Sequence, residues 1–477
     1  PAQQACEAAT PPPIAPSTSA TPPVADAAAR SREVDALFAP WAARAGPGVG
    51  VLVVHRGRVV HAAGYGMADV ASRRPITPRT PFELASLSKQ ITGMAVVHLA
   101  RQGGLHYRDS VAAYLPAFRA RYPGVQVRDL LNHTGGFYDY IAWFRARGPA
   151  YDAFPRTERG TEAVHEPTMA EMLDSLAAQP PRFPPGVGWA YDNTGYLLAA
   201  AVVEKASGVS FAEYVRNNLF RPAGMTASSL VDPYGPRPRD LAHSYTCGRG
   251  GWQLLDYTPL ERQMGAVGVV STLEDLGRWY AALDASALVP PALQQEAFTT
   301  GYLQGGQPID YGFGWVLGNT MGMERQAHGG WWKGFRNISL RFPQPGITVV
   351  LLSNDAGFSS LRNEMAYRTA RIYLRDGLRL PAVAALPADS LARLAGTYAG
   401  GGPRGYPVRV DAGALVVTVP SGTERRLIPT TDGEFFVDGI EEERFRFVAD
   451  PDGTTRLIRM EFGLGGTVRS WTVTRRR

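Results

Sequence analysis

The stretch "PFELASLSKQITG", from Pro81 to Gly93, decides how the rest of the chain is interpreted. It places Ser86 and Lys89 three residues apart, so both side chains share one face if the segment is helical. A serine hydroxyl attacks well only when a base takes its proton, and a lysine can do so when burial or nearby positive potential lowers its pKa. The same spacing also fits a serine helix cap followed by a surface lysine, so the pair alone leaves both interpretations open.

Lysine is rare in this chain, and that draws attention to Lys89. The chain uses arginine for nearly all its positive charges, and its other lysines are Lys205 and Lys333. Arginine keeps its proton under all physiological conditions, whereas lysine can release one. The residues around Lys89 are mostly apolar, which adds support for a base at this position but does not decide between the two interpretations.

Two further stretches contain residues that can carry chemistry. In "PPGVGWAYDNTGYLLAAAVVE", Tyr191 and Asn193 directly precede an apolar helix. A phenol can relay a proton, and an amide can orient a substrate amide. In "AHGGWWKGF", His328 precedes Gly329 and Gly330, which permit close approach of a ligand to the backbone. Taken alone, the first stretch also fits a packed tyrosine with an asparagine cap, and the second a tight bulge.

The SxxK, YxN and HGG motifs follow one another along the chain in that order, and this set resembles the motifs of the penicillin-binding protein and serine β-lactamase superfamily. The similarity is closest to its class C branch, which includes D-alanyl-D-alanine carboxypeptidases, D-aminopeptidases and related esterases. Flanking segments such as "LLNHTGGFYDY" and "YGFGW" are also similar, and the resemblance covers residues 32–375. It implies an α+β fold, with an antiparallel sheet flanked by helices and an inserted helical lobe. The order of elements, strands at both ends and helices between, agrees.

The resemblance implies a catalytic group of three residues. Ser86 would be the acylated nucleophile. Lys89 and Tyr191 would act as one coupled pair that carries protons, and the sequence leaves open which of them accepts the first proton.

The resemblance also implies a set of substrate-binding residues. Asn193 would hold the acyl amide of the substrate. His328, Gly329 and Gly330 would line the opposite wall of the cleft. The backbone N–H of Trp331, together with that of the nucleophile, would form the oxyanion hole. His133 and Asp139 are interpreted as residues that order or cap loops near the cleft.

The sequence departs from the β-lactamase pattern at His328, where those enzymes have lysine. A neutral histidine attracts a substrate carboxylate less than a fixed charge does, and Arg336 is a candidate to compensate. The HGG form is more similar to D-aminopeptidases and esterase-like members. The sequence therefore predicts a serine hydrolase that acts on small D-amino-acid-containing peptides or amides. Carboxylesterase, β-lactamase and non-catalytic cell-wall-peptide binding are the alternatives, and no GxSxG elbow supports an α/β-hydrolase.

Composition divides the chain of 477 residues into four segments. Residues 1–31 are rich in proline and alanine, which predicts a disordered tether. Residues 32–378 would form the catalytic domain, and 379–390 a linker. Residues 391–477 alternate short β runs with turns, which predicts a small antiparallel β-barrel. The segment "LARLAGTYAG" resembles the entry to the lipocalin-like domain that accompanies some peptidase members.

Several classes of partner lack support in the sequence. The net charge is +6, but no block of arginines interleaves with aromatic residues, so no nucleic acid is expected. No zinc, HExxH or EF-hand spacing occurs, so neither a metal nor another cofactor is expected. Apolar runs are shorter than the ~18 residues that span a bilayer. The tether favours a periplasmic or secreted protein over a cytoplasmic one. The oligomeric state, pairing of Cys6 with Cys247 and lipidation of Cys6 stay open.

Overall fold

The structure is a computed structural model. It describes residues 27–145, 168–230, 240–256, 264–320, 322–377, 382–399, 405–419, 424–437, 440–451, 454–462 and 468–475. Most of the predicted tether, including Cys6, lies outside these residues.

The helices alternate with loops along the described chain. They are α1 (Ala27–Ala42), α2 (Ser88–Arg101), α3 (Val111–Tyr114), α4 (Val127–Asn132), α5 (Tyr140–Arg145), α6 (Met169–Ala177), α7 (Thr194–Ser207), α8 (Phe211–Val215), α9 (Leu273–Asp284), α10 (Pro291–Ala297), α11 (Arg362–Leu374) and α12 (Ala388–Leu394).

The strands fall into an early, a middle and a late group. They are β1 (Val49–His55), β2 (Arg58–Tyr65), β3 (Met67–Asp69), β4 (Arg74–Pro75), β5 (Phe82–Glu83), β6 (Ser229–Leu230), β7 (Tyr245–Gly248), β8 (Gly251–Leu254), β9 (Val269–Ser271), β10 (Gly301–Tyr302), β11 (Pro308–Ile309), β12 (Val316–Thr320), β13 (Met323–Trp332), β14 (Phe335–Phe342), β15 (Ile347–Ser353), β16 (Gly396–Ala399), β17 (Tyr406–Asp411), β18 (Ala414–Thr418), β19 (Glu424–Pro429), β20 (Phe435–Val437), β21 (Ile440–Ala449), β22 (Thr455–Phe462) and β23 (Val468–Arg475).

The described chain divides into two compact units. The first comprises residues 27–317 and 326–362, and the second comprises residues 318–325 and 363–475. The catalytic domain was predicted to extend to residue 378. The division differs from this prediction, because α11 falls almost wholly in the second unit. Helix α1 starts at Ala27 and buries Arg30 together with Val34, so helical structure begins inside the predicted tether. Helix α12 starts inside the predicted linker, and Val383 of that linker forms a bridge with Thr430.

An antiparallel sheet organises the first unit, with strands in the order β13-β14-β15-β1-β2. Strands from both ends of the unit thus meet in one sheet. The apolar run of β15 is buried at every position, as expected for a strand covered on both faces. Tyr65 of β2 stacks on Phe38 of α1. Val49 of β1 pairs with Tyr65 and therefore points to the same face of the sheet. The next residue, Gly50, points to the other face, where it meets Leu273 of α9. Helices α1 and α9 thus cover opposite faces of the sheet.

A helical lobe is inserted in the sequence of the first unit, between the strands near its start and the strands near its end. Helix α7 contacts both α2 and α4. Its buried residues run from Thr194 to Val203, and the helix ends at Gly208, which adopts the left-handed conformation common after a helix. The predicted α+β class and the inserted lobe agree with this arrangement.

A closed barrel of strands β16 to β23 forms most of the second unit. Each strand pairs antiparallel with the next, and β16 closes the barrel by pairing with β23. The ring of Phe447 packs against the buried rings of Tyr398 and Phe435. The predicted C-terminal antiparallel barrel is confirmed, whereas its likeness to lipocalins stays a prediction.

The described residues add two observations that bear on partners. None of their helices combines the length and apolar character needed to cross a membrane. Nor do they contain a group of three or more histidine, cysteine, aspartate or glutamate side chains placed to hold a metal ion. Cys247 of β7 is an exposed thiol.

Candidate active site

Ser86 lies in a 3₁₀ turn, Ala85–Leu87, that leads directly into α2. The side chain is half-buried while its neighbours are buried, so the hydroxyl reaches the solvent from a fixed position. Ala85 has a φ of 53°, a left-handed conformation that costs energy for alanine and that surrounding contacts must maintain. Asn337 of β14 supplies one such contact by donating from Nδ2 to the backbone oxygen of Glu83 at 2.8 Å.

Lys89 lies one turn further along α2 and is completely buried. Its Nζ donates to Ser86 Oγ at 3.2 Å, to Asn193 Oδ1 at 2.7 Å and to the backbone oxygen of Ala266 at 3.0 Å. These contacts use all three hydrogens of an ammonium group. One of the three directions points at the candidate nucleophile, so the neutral amine, which has one hydrogen fewer, can present its lone pair there and accept the hydroxyl proton.

Burial sets the protonation of Lys89. Loss of solvent lowers the pKa of its ammonium group to about 7, although the carboxylates of Asp139, Asp192 and Glu83 act in the opposite direction. A lysine with this pKa is present in both charge states near neutral pH. It can therefore accept a proton and return it within one reaction cycle.

This protonation predicts the pH dependence of activity. We expect kcat/KM for an uncharged p-nitrophenyl ester to rise with pH, with the midpoint of the acid limb near 7, because only the neutral amine of Lys89 can accept a proton. Below that midpoint, activity should fall about tenfold per pH unit. Rates between about pH 5 and about pH 9, corrected for spontaneous hydrolysis with Ser86→Ala protein, measure it. A flat profile across the midpoint would contradict this role for Lys89.

Tyr191 lies beside both Ser86 and Lys89. The side chain is 38% exposed, but its partial loss of solvent still raises the pKa of the phenol, and a hydrogen bond with Ser86 only partly offsets this. The Nζ of Lys89 lies 5.1 Å from the centroid of the Tyr191 ring. Tyr191 is thus a neutral phenol at rest, which can donate or relay a proton next to the candidate nucleophile.

Asn193 is held from two sides. Its Oδ1 accepts from Lys89, as described above, and its Nδ2 donates to Asp139 Oδ2 at 2.7 Å. Its backbone N–H donates to the same oxygen at 2.8 Å. Asp139 therefore has a second role besides the loop-capping role that its sequence context predicts.

The HGG segment lies in β13, with Gly330 directly against the Ser86 turn. A Cβ atom added at Gly330 would lie 2.6 Å from the backbone oxygen of Leu84 and 3.1 Å from Ala85 Cβ. Strand β13 can approach the turn this closely only because position 330 lacks a side chain. The structure thus brings the third motif to the opposite side of the same site.

Replacing Gly330 with alanine should displace the nucleophile turn. We expect a destabilisation of about 1–3 kcal/mol from overpacking and a fall in kcat/KM of about 10²-fold from misplacement of Ser86. Thermal unfolding and ester hydrolysis measure the two effects. Gly305→Ala is the matched control, because no heavy atom lies within 4 Å of an added Cβ there. Equal activity of the two variants would contradict the close packing at Gly330.

His328 is a neutral, fully engaged side chain. It is buried, and loss of solvent, reinforced by Lys89, lowers its pKa to about 3. Its Nδ1 lies 2.6 Å from the backbone oxygen of Gly329 and its Nε2 lies 2.9 Å from the Tyr311 hydroxyl. In the neutral ring Nδ1 therefore donates to the carbonyl and Nε2 accepts from Tyr311. His328 brings no positive charge to the site.

Trp331 and Arg336 lie on the other face of the sheet from His328. They are direct partners in the β13–β14 pairing, and the guanidinium of Arg336 lies 4.5 Å from the Trp331 ring centroid. Arg336 also donates to the backbone oxygens of Lys333 and Phe335. The suggestion that Arg336 compensates for His328 is therefore wrong. The Trp331 side chain is 67% exposed, so its predicted contribution to the site rests on its backbone N–H.

His133 lies behind Tyr191 and is completely buried. Its ring centroid is 4.5 Å from that of Tyr191 and 4.6 Å from that of Tyr311. Burial lowers the pKa of His133, so this ring is also neutral. Tyr311 contacts both histidines, yet the sequence assigned it no role. Its place in "YGFGW", next to the glycines of a family-like segment, was the available signal.

Comparisons with known proteins identify the family of the chain. The family described as beta-lactamase matches residues 34–374. Penicillin-binding protein 4* of Bacillus subtilis (strain 168) is 29% identical over 434 residues, which cover 87% of this chain and 92% of the relative. D-aminopeptidase of Brucella canis is 28% identical over 319 residues, but these cover 66% of this chain and only 58% of the relative. The solved structure of the octameric penicillin-binding protein homologue from Pyrococcus abyssi has a TM-score of 0.61 at 22% identity, covering 93% of this chain and 99% of that one.

The segment matched by the family spans more than half of the chain and includes the SxxK, YxN and HGG motifs. The resemblance that these motifs carry is therefore confirmed. The chain belongs to the beta-lactamase family and is a serine hydrolase.

Proposed function

We propose that this hydrolase acts on small peptides or amides of D-amino acids through an acyl-enzyme on Ser86. The D-aminopeptidase of Brucella canis and the penicillin-binding protein of Bacillus subtilis support this substrate class. A location in the periplasm or outside the cell belongs to the same proposal, because peptides with D-amino acids come from the bacterial cell wall.

The neutrality of His328 is the observation that carries the proposal. Substrates of β-lactamases and carboxypeptidases present a carboxylate, and a cationic side chain at this position would bind it. Here both ring nitrogens are occupied and the pKa of the imidazole lies far below neutral pH. Because Arg336 faces away, the wall formed by His328 and Gly330 favours a leaving group without a carboxylate, such as the amine of a simple amide or the alcohol of an ester.

Acylation follows from the contacts around Ser86. The neutral amine of Lys89 takes the hydroxyl proton as Ser86 Oγ forms a bond to the substrate carbonyl carbon. Tyr191 keeps its proton in the resting state, so Lys89 fits the first acceptor better. The backbone N–H groups of Ser86 and Trp331 would stabilise the oxyanion that forms on the carbonyl oxygen.

Collapse of this intermediate breaks the bond to the leaving group. The leaving amine takes a proton from the Lys89–Tyr191 pair and departs, which leaves the ester on Ser86. A water molecule then attacks the ester carbonyl while the same pair accepts its proton. The Ser86 oxygen takes a proton as it leaves, so the cycle ends with a free acid, a free amine and the original enzyme.

A substrate panel tests the proposal. D-alanine p-nitroanilide, its L-enantiomer, a p-nitrophenyl ester and nitrocefin are compared by kcat/KM. We expect clear turnover of the D-anilide, a preference of at least about tenfold over the L-enantiomer, and little hydrolysis of nitrocefin. Ester hydrolysis without any D-anilide turnover would point to a carboxylesterase, and fast nitrocefin hydrolysis to a β-lactamase. Peptide binding without turnover of any substrate would support a binding protein instead.

A further inference from the structure

Asp139 precedes α5, and both oxygens of its carboxylate are fully used. Oδ2 accepts the backbone N–H of Asn193 at 2.8 Å and its Nδ2 at 2.7 Å. Oδ1 accepts the backbone N–H groups of Ile141 at 2.9 Å and Ala142 at 3.3 Å. A carboxylate offers about four acceptor positions. Asp139 thus connects the start of one helix with the side chain of Asn193.

These contacts determine which way the Asn193 amide points. A carboxylate accepts hydrogen bonds but cannot donate them, so the NH₂ group of Asn193 must face Asp139. The amide oxygen then faces the opposite way, where it accepts from Lys89 Nζ at 2.7 Å. The second hydrogen on Nδ2 is left to donate to a substrate carbonyl. The reverse orientation would place two acceptors together at Asp139 and two donors together at Lys89.

We infer that Asp139 is a positioning residue for the reaction, because its carboxylate fixes the Asn193 amide with the oxygen toward Lys89 and a donor left for the substrate. This inference goes beyond the proposed substrate class, and it rests on the assignment of Ser86 as nucleophile and Lys89 as base. Asp139 does not touch the reacting atoms. It influences the reaction by orienting the Asn193 amide and by the effect of its negative charge on the protonation of Lys89.

The charge of Asp139 is one of several that surround Lys89. Asp139 comes first among the carboxylates that raise the pKa of this lysine against the larger effect of burial. Removing its charge therefore lowers the pKa of Lys89, so the neutral amine is available at lower pH. The titratable side chains around Lys89 are Glu83 from β5, His133 after α4, Asp139 before α5, Tyr191 and Asp192 before α7, Tyr196 in α7 and His328 in β13.

The test measures the rate at which a fluorophosphonate probe labels Ser86, as a function of pH, in wild type, Asp139→Asn and Asp139→Ala. We expect labelling to slow about tenfold or more in both variants, because the amide of Asn193 loses its fixed orientation. The acid limb of the profile should also move to lower pH by about one unit, because a negative charge near Lys89 has been removed. The probe needs no D-amino-acid substrate, so a wrong substrate proposal would leave this result unaffected.

Asp129→Asn is the matched control. Asp129 closes the capping box of the neighbouring helix α4 and also accepts from the Thr134 hydroxyl, yet no contact joins it to Asn193 or Lys89 in the described structure. We expect this variant to unfold at a lower temperature but to keep the labelling profile of wild type. The inference would be overturned if the Asp139 variants kept the wild-type acid limb and rate, or if Asp129→Asn changed both in the same way.

Discussion

The Ser86→Ala protein is expected to lose at least about 10⁴-fold in kcat/KM and all covalent labelling by fluorophosphonate or penicillin-type probes. The reason is geometric. Lys89 Nζ lies 3.2 Å from Ser86 Oγ, and the phenol of Tyr191 forms a hydrogen bond with the same side chain. Without the hydroxyl, the remaining groups can stabilise an oxyanion but cannot form an acyl-enzyme. Turnover of a p-nitrophenyl ester and intact-protein mass after probe treatment measure the two effects.

Ser88→Ala provides the matched control for this change. Ser88 is a second serine in the same stretch, completely buried, and its Oγ accepts the backbone N–H of Val269 at 3.1 Å. Its loss leaves that donor unpaired, which should cost about 1–3 kcal/mol of stability. Labelling of the folded protein should persist. The assignment of Ser86 fails if the Ser86→Ala protein is still labelled, or if Ser88→Ala removes labelling while the protein stays folded.

Much of the fold could be predicted, because local patterns of apolar and turn residues in the sequence indicate it. The alternating β runs with turn residues after residue 391 predicted the barrel, and each strand there pairs with its neighbour in sequence. The ends of the domains were harder. Ala27 to Arg32 continue the alanine-rich composition of the preceding segment, and alanine is both the best helix former and common in tethers. Within the predicted tether, the burial of Arg30 shows that the helix already packs against the fold there, and composition does not reveal this.

The site could be predicted in part, because its motifs combine residue type with order along the chain. The structure brings Ser86, Lys89, Tyr191 and Asn193 into one set of contacts. The contact of Asp139 with Asn193 could not be predicted from sequence, because it joins residues 54 positions apart and no spacing rule links them.

Strand register and burial determine the remaining features of the site. Arg336 is near His328 in sequence, but the alternation of side chains along the paired strands β13 and β14 places it on the other face. The neutrality of His328 results from its burial and from the nearby charge of Lys89, and only the folded chain provides these surroundings. The sequence therefore indicated a weaker attraction for carboxylates but could not explain it.

Lys89→Arg should reduce kcat by about 10³-fold while it retains the positive charge. A guanidinium group keeps its proton at any pH the enzyme tolerates, so it cannot accept the proton of Ser86. The acid limb near pH 7, which the pKa of Lys89 predicts, should disappear together with the activity. Because arginine is larger and Lys89 is completely buried, some loss of stability is expected as well. Lys89→Met removes that uncertainty, since it is smaller than arginine and equally unable to act as a base.

Lys205→Arg is the matched control, because this exposed lysine in the last turn of α7 undergoes the same chemical change far from any proton transfer. We expect it to keep the wild-type kcat and pH profile. Both Lys89 variants should remain folded by circular dichroism and still bind a substrate-like peptide, yet label slowly with the fluorophosphonate probe. If Lys89→Met retained fast labelling with an acid limb near pH 7, the proton acceptor would have to be another group. Tyr191 would then be the first candidate, because it is the other titratable side chain in hydrogen-bond contact with Ser86 among the described residues.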